Sequence, residues 1–154
     1  MRIRKAQETD LPALFTLYDR LYDTLSGFGL PFSLNSDEMK GVLGAMLKSR
    51  FCLITVAEED GRIVGFLSAG ISRMDRKLQF QGQNMIGIVS DIYVEPALRG
   101  KGVAKELLAC AEDWFRENGI GLIESYVVME NHASAAFFKK HGYSDMSRLM
   151  MKTL

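Results

Sequence analysis

Two glycines and three cations lie where an apolar strand pattern ends and a helical pattern begins. The glycines are Gly100 and Gly102, and the cations are Arg99, Lys101 and Lys105. The first amides of a helix have no backbone acceptor and carry partial positive charge. Glycine at that position lets an anion approach the main chain closely. The stretch therefore predicts a binding site for a phosphate or pyrophosphate group.

Two well-known phosphate-binding motifs do not account for this stretch. A P-loop aligned on Gly100 and Lys101 needs an earlier glycine and a later hydroxyl residue, where this chain has Glu95 and Gly102. The dinucleotide fingerprint G-x-G-x-x-G fails at Lys105. A tight turn with solvated lysines is the alternative, and the stretch alone leaves both interpretations open.

The overall composition requires any phosphate recognition to be local. The 154 residues carry 19 basic and 19 acidic side chains, so no net field attracts nucleic acid or an anionic membrane. Apolar residues make up 47% of the chain, which is typical of a soluble globular protein. The N-terminus has no apolar signal segment, and no apolar run reaches the length of a membrane span. We therefore expect a cytoplasmic protein.

The spacing of cysteine and histidine argues against a metal site. Cys52 and Cys110 lie far apart without a C-x-x-C motif, and the only histidines are His132 and His141. Zinc sites in proteins use clustered Cys and His ligands. We therefore expect buried, reduced thiols and no metal cofactor.

The elements that position these residues are predicted from hydrophobic periodicity. Strand patterns cover residues 1–6, 51–57, 62–71, 85–94, 120–129 and 143–152. Helical patterns start at a cap, Thr9 or Asp10 for the first and Asn35 or Ser36 for the second. These two end near residues 26 and 49, and two more cover 102–117 and 131–141. The order β-α-α-β-β-β-α-β-α-β indicates one α/β domain, residues 1–154, with helices on both faces of a mixed sheet.

A second stretch, NHASAAFFKKHGY at residues 131–143, begins with an amide side chain after a strand and ends at a glycine–aromatic stop. Together the two stretches resemble the GNAT superfamily of N-acetyltransferases. The acetyl-CoA motif of that superfamily, Q/R-x-x-G-x-G/A, is matched by Arg99, Gly102 and Ala104. Its later motif is roughly N-x-x-A-x-x-F-Y-x-K-x-G-F. The matching residues are Asn131, Phe137, Lys140 and Gly142, and the replacements are Ser134 for Ala, Phe138 for Tyr and Tyr143 for Phe.

The element order also resembles that of the superfamily, so the resemblance covers the whole chain and implies a mostly antiparallel sheet. It implies acetyl-CoA as the acyl donor, with pantetheine in a gap beside the strand that precedes the glycine turn. Main-chain groups of Ile92 and Val94, whose side chains can still be strand core, would contact pantetheine. The amides of the turn would hold the pyrophosphate. The residues implied in cofactor contact are Ile92, Tyr93, Val94, Arg99, Gly100, Lys101, Gly102, Val103, Ala104, Lys105, Asn131, Ser134 and Phe138.

The reaction implied by the resemblance is direct attack of a primary amine, of a small molecule or peptide, on the thioester carbonyl. A backbone amide near Val94 would polarise that carbonyl. An alkyl amine has a pKa of about 10.4, so it must lose a proton before it attacks, and a carboxylate reaching it through water could serve as the base. The candidate bases are Asp91 and Glu124, with Ser90 orienting the water. The alternatives are a structural hydrogen-bonding role for Asp91 and a solvated strand position for Glu124. The sequence leaves open which face of this strand meets the cleft.

The donor of the proton to the departing thiolate differs from the family pattern. The superfamily carries a tyrosine at the position of Phe138, which keeps the ring but has no hydroxyl group. Water or Tyr126 would then supply the proton, unless Tyr126 is an ordinary core tyrosine. In the loop after the first helix, Phe28 and Phe32 are candidates for acceptor contact or for packing on the core.

Two alternatives to an acetyltransferase stay open from the sequence. One is a catalytically silent module that binds acyl-CoA for regulation, which the missing tyrosine at Phe138 suggests. The other is an acyltransferase of the same fold that uses a different acyl chain or an oxygen acceptor. The final strand pattern overlaps the apolar segment SRLMMKTL, residues 147–154, which predicts an edge that pairs two copies into a homodimer.

Overall fold

Five strands form one sheet in the order β1-β2-β3-β4-β5 in the computed structural model, which describes residues 1–154. The strands are β1 (Arg2–Lys5), β2 (Cys52–Glu59), β3 (Arg62–Arg73), β4 (Met85–Val94) and β5 (Ile123–Ser125). The first four pair in antiparallel fashion, and β5 runs parallel to β4. The mixed, mostly antiparallel α/β fold expected from the sequence is confirmed.

Four helices cover the two faces of this sheet: α1 (Leu11–Gly27), α2 (Ser36–Lys48), α3 (Val103–Glu117) and α4 (His132–Lys140). One face packs against the apolar stripe of α3, and the other packs against α1 and α2. The buried residues of the α3 stripe are Val103, Leu107, Leu108, Ala111, Trp114 and Phe115. Those of α1 and α2 are Leu14, Leu17, Tyr18, Leu21, Met39 and Leu43. No helix in the chain has both the length and the apolar character that crossing a bilayer requires.

A bulge in β4 changes the direction in which its side chains point. Residues 68 and 69 of β3 pair with Asp91 and Val89, so Ser90 is an extra residue in β4. Val89 packs on the α3 side and Tyr93 on the α1 side, although residues four apart in a regular strand share a face. The bulge therefore turns Asp91 and Tyr93 towards α1, a direction that the sequence left open.

The predicted final strand, residues 143–152, is absent, and this part of the prediction is wrong. No backbone hydrogen bond reaches residues 144–154, and the apolar side chains in that segment are exposed. A strand forms only beside an edge that offers free backbone donors and acceptors. β5 offers only Ile123–Ser125, because the chain turns away from β4 after Ser125. The strand predicted at 120–129 is too long for the same reason.

Candidate active site

The turn between β4 and α3 leaves a run of main-chain amides without acceptors. Gly100 and Gly102 have φ angles of 75° and 88°, a left-handed conformation that glycine adopts without strain. None of the six N–H groups of residues 100–105 donates a hydrogen bond to the main chain or to a side chain. In α2 and α4, by contrast, the side chains of Asn35 and Asn131 cap the first turn. The uncapped amides of α3 can therefore bind an anion.

The three cations beside this turn have different surroundings. Lys101 and Lys105 are exposed and form no ion pair. Arg99 donates from Nε to the carbonyl oxygen of Val94 at 2.9 Å, and its guanidinium carbon lies 5.5 Å from the centroid of the Tyr93 ring. Arg99 thus ties the turn to the end of β4, a structural contact that its type and spacing did not predict. The lysines remain free to meet an anion.

A gap opens between β4 and the chain that follows β5. The parallel pairing ends at Val89 and Ser125, whereas β4 continues to Val94. The N–H of Glu95 bonds to β3. Because bonding directions alternate along a strand, the main-chain groups of Ile92 and Val94 face away from β3, towards the gap. The strands therefore splay at the position where the sequence predicts the pantetheine arm.

A cavity of about 60 Å³ lies in this gap and gathers many of the predicted site residues. Its lining includes Ser90, Asp91, Ile92, Tyr126, Asn131, Ser134 and Phe138. Leu21 and Leu25 of α1 also line it, together with Ser125, Val127 and Val128. The two leucines belong to a helical stripe that indicates only core packing. No signal in the sequence marks them as site residues.

A larger cavity, of about 460 Å³, lies beside the first turns of α1. It contains none of the predicted site residues. Most of its charged side chains neutralise one another, because Arg4 pairs with Asp10 and Glu58, and Arg20 pairs with Glu95. The smaller cavity is the candidate active site, because a carboxylate and two aromatic rings line it where β4 and the chain after β5 splay apart.

Asp91 is held by two buried hydroxyl groups. Its Oδ2 accepts a hydrogen bond from Ser68 Oγ at 3.1 Å and a longer one, 3.4 Å, from the Tyr18 hydroxyl. Its Oδ1 has no hydrogen-bond partner in the protein and is not sealed from solvent. Burial raises the pKa of Asp91, and the two hydroxyl bonds partly offset that rise. A carboxylate with a raised pKa and a free oxygen beside a cavity can accept a proton.

The other predicted catalytic residues differ in their access to the cavity. Tyr126 lies at its rim and is 72% exposed, so it is not a core tyrosine. Ser90 is exposed on the bulge of β4 and lines the cavity. Glu124 lies opposite Ile88 in the β4–β5 pairing and is not part of the lining. Of the two candidate bases, Asp91 alone reaches the cavity.

Helix α4 contributes an aromatic ring from its last turn and a cap at its start. Phe138 is 5% exposed and packs edge-on against Tyr143, with ring centroids 5.0 Å apart. Asn131 Oδ1 accepts a hydrogen bond from the N–H of Ser134 at 3.1 Å, so this side chain caps the helix. The three residues of α4 and its cap that line the cavity are therefore held by local contacts.

Comparison with known proteins identifies the family. The sequence profile of the acetyltransferase (GNAT) family matches residues 13–143, which is most of the chain. This chain belongs to the GNAT family. The uncharacterized N-acetyltransferase YhfO of Bacillus subtilis is 24% identical to it over 148 residues, covering 94% of this chain and 91% of that protein. The expected enzyme class, an N-acetyltransferase, is confirmed.

Solved structures share the fold of this GNAT protein. The aminoglycoside N-acetyltransferase AAC(6′)-Iy, in complex with CoA, is 23% identical with a TM-score of 0.82, covering 99% of this chain and 93% of that chain. A predicted acetyltransferase from Clostridium acetobutylicum, with acetyl-CoA, is 19% identical with a TM-score of 0.81. The match covers 99% of this chain and 95% of that one. At these identities the similarity concerns the fold.

The loop predicted to contact the acceptor lies outside the cavity of this GNAT protein. Phe28 is the residue that follows the last turn of α1, and it is half-buried. Phe32 is 56% exposed, and neither phenylalanine belongs to the cavity lining. The α1 side chains that do line the cavity are Leu21 and Leu25. The helix, rather than the loop after it, supplies that wall.

Proposed function

We propose that this GNAT protein transfers the acetyl group of acetyl-CoA to a primary amine of a small molecule or peptide. The observation that carries the proposal is the run of free amides at residues 100–105, directly after the strand that borders the gap. The amides bind the pyrophosphate, with Lys101 and Lys105 adding positive charge. The pantetheine arm lies in the gap against the main chain of Ile92 and Val94. The CoA and acetyl-CoA bound to the two structures of the same fold support this choice of donor.

Asp91 is the proposed base. The amine loses a proton to Asp91 Oδ1, directly or through a water oriented by Ser90, and its nitrogen then attacks the thioester carbonyl carbon. A C–N bond forms, the nitrogen loses its second proton to water, the C–S bond breaks, and CoA leaves as a thiolate. A main-chain amide near Val94 polarises the carbonyl oxygen during this step. The free Oδ1 beside the cavity favours Asp91 over Glu124, which does not line it.

The thiolate receives its proton from water or from Tyr126, because Phe138 has no hydroxyl group. A thiol with a pKa of about 8.5, as in cysteine, leaves without full protonation, so a missing acid slows the reaction rather than stopping it. If Tyr126 is the donor, Tyr126→Phe slows turnover far more in the natural background than beside Phe138→Tyr. Equal effects of Tyr126→Phe in both backgrounds would exclude Tyr126 and leave water as the donor.

Binding of acetyl-CoA is tested by a matched pair of glycine substitutions, one just before and one just after α3. Gly102→Glu places bulk and negative charge among the free amides, whereas Gly119→Glu makes the same change beyond the other end of the helix. The two glycines have φ angles of 88° and 71°, and an added Cβ meets no atom within 4 Å at either. The conformational cost of the two substitutions is therefore similar. Acetyl-CoA should raise the melting temperature of the wild type and of Gly119→Glu, but not of Gly102→Glu.

A folded Gly102→Glu protein that binds acetyl-CoA normally would overturn the donor assignment. Release of free thiol from acetyl-CoA in the presence of an amine panel then tests transfer itself. Binding without thiol release from any amine would favour the silent regulatory module. Competition by longer acyl-CoA thioesters would test for a different acyl chain.

We further propose that residues 1–154 act as one N-acetyltransferase domain in the cytoplasm and associate as a homodimer. The segment 144–154 supports association, because its apolar side chains are exposed and its main chain has no partner. Light scattering at high protein concentration should give twice the mass of the 17.3 kDa chain. A monomer at that concentration would reject the homodimer.

A further inference from the structure

We infer that Tyr18 and Ser68 are positioning residues that hold one oxygen of the Asp91 carboxylate and direct the other towards the gap. The inference rests on the proposed function, in which Asp91 Oδ1 takes the proton of the amine. Neither residue has a role in the sequence motifs. Ser68 lies on β3 and Tyr18 on α1, so the carboxylate on β4 is held from two other elements.

Tyr18 and Ser68 contact Asp91 through hydroxyl groups that donate no other hydrogen bond in the protein. Tyr18 is 2% exposed and Ser68 is 0% exposed, so water cannot serve either hydroxyl freely. Each donates to Asp91 Oδ2 and to no other acceptor in the protein. A buried polar group without a partner costs roughly 1–3 kcal/mol. The two hydroxyls are therefore tied to this carboxylate, and they leave Oδ1 free.

The backbone places the three groups together. Ser68 and Asp91 are direct partners in the β3–β4 pairing, next to the bulge at Ser90. Tyr18 is fixed by its ring, whose centroid lies 4.3 Å from that of Phe66 on β3. A shift of α1 or a loss of the bulge would separate the groups. The position of Oδ2 is thus set by packed elements rather than by a mobile loop.

The groups that face Asp91 include no cation. From α1 they are Tyr18 and Tyr22, from β3 Ser68, and along the cavity Ser90 and Tyr126. The pKa of Asp91 is raised by burial and lowered only by the hydrogen bonds of Ser68 and Tyr18. The charge on Asp91 in turn helps burial to raise the pKa of both tyrosines, so the tyrosines stay neutral donors. Without these two bonds the carboxyl would hold its proton more tightly.

The test removes one hydroxyl at a time, in Ser68→Ala and Tyr18→Phe. The carboxyl ¹³C shift of Asp91, assigned by its loss in Asp91→Asn, is followed against pH in each protein. Both variants should titrate at higher pH than the wild type, Ser68→Ala more than Tyr18→Phe because its bond is shorter. With acetyl-CoA and the most active amine of the panel, kcat/KM below the titration midpoint should fall about 3- to 10-fold in Ser68→Ala.

Thr55→Val is the matched control. Thr55 is a second fully buried hydroxyl residue in the sheet, and its Oγ1 has no hydrogen-bond partner. This variant should leave the Asp91 titration and kcat/KM unchanged. An unchanged titration in both hydroxyl variants would overturn the inference, and if one variant fails to fold, the other decides.

Failure of the proposed function and failure of this inference give different results, because the titration of Asp91 needs no substrate. A raised titration midpoint in a protein whose Gly102→Glu variant still binds acetyl-CoA would keep the positioning contacts and remove the donor assignment. An unchanged titration midpoint in both hydroxyl variants of a protein that acetylates amines would keep the proposed function and remove the positioning role of Tyr18 and Ser68.

Discussion

Asp10 and Asp91 are both enclosed by their neighbours, but in opposite ways. Arg4 donates to both oxygens of Asp10, at 2.7 and 2.9 Å, and the N–H of Gln7 donates to Oδ2 at 2.8 Å. The Arg4 guanidinium therefore holds the pKa of Asp10 below its ordinary value. Asp91 is bound by hydroxyl groups alone and keeps a free oxygen, and burial raises its pKa.

The difference separates a structural carboxylate from a reactive one. Asp10 has its hydrogen bonds satisfied and its charge neutralised, so it contributes to the fold and has no proton to exchange near neutral pH. Asp91 lacks a neutralising cation, which is unfavourable for stability but leaves a site for a proton. The direction of the pKa change distinguishes the two roles here. The substitution of each aspartate by asparagine should therefore affect activity in one case and stability in the other.

The largest effect is expected for Asp91→Asn on catalysis. Asparagine keeps the shape of the side chain but cannot accept the proton of the amine, so kcat should fall by roughly 10²–10⁴. Acetyl-CoA should still raise the melting temperature of this variant. Steady-state kinetics on the folded variant measure the change, with Asp10→Asn as the control. A value of kcat within about threefold of the wild type would remove Asp91 from the mechanism.

Asp10→Asn should lower the free energy of unfolding by about 2 kcal/mol, below the 3–5 kcal/mol of a fully broken buried ion pair. The loss is reduced because Arg4 keeps its contact with Glu58 at 2.6 Å. The folded pKa of Asp10 lies below its unfolded value, so its contribution is present above the unfolded pKa and disappears as the pH falls through the folded one. Urea unfolding at neutral pH and at about pH 3 measures both results. An equal difference at both pH values would contradict the ion-pair explanation.

Asp91→Asn should not lower the free energy of unfolding at neutral pH. It should raise it by up to about 1 kcal/mol, because active-site residues are often unfavourable for stability. The folded pKa of Asp91 is raised, so the wild type loses stability as the pH rises from the unfolded pKa through the folded one. The advantage of the variant should therefore grow over that window and then stay constant. Thermal unfolding across this pH range measures it. A marked destabilisation at neutral pH would assign Asp91 a structural role instead.

The smallest effect is expected for Glu58→Gln. This substitution leaves the contact between Arg4 and Asp10 intact and removes only the second, more exposed partner of Arg4. Partly exposed ion pairs contribute little, so the free energy of unfolding should fall by less than about 1 kcal/mol. Urea unfolding beside Asp10→Asn gives the comparison. A loss as large as that of Asp10→Asn would show that the two carboxylates act as one unit.

The sequence by itself determined the features that depend on neighbouring residues. Gly100 and Gly102 indicated a turn with free amides because positive φ angles are a local requirement, and both angles are positive. The helical period marked the buried stripe of α3, and Asn131 marked the start of α4. Asp10 was a plausible cap by the same local rule, but it binds Arg4 and Gln7 and makes no side-chain cap on α1. The side chain of Arg4, six residues away, and the main chain of Gln7 thus bind the carboxylate in place of the first amides of α1.

Only the tertiary structure decided which carboxylate reaches the cavity and what holds it. Ser68 and Tyr18 lie 23 and 73 residues from Asp91 in the sequence, and the bulge at Ser90 exists only in the pairing of β4 with β3. A local sequence pattern contains no information on which distant residues will pair. The same reason explains residues 144–154, whose composition favours a strand although this chain offers their main chain no hydrogen-bond partner. A strand is a property of two segments, and one segment alone cannot specify it.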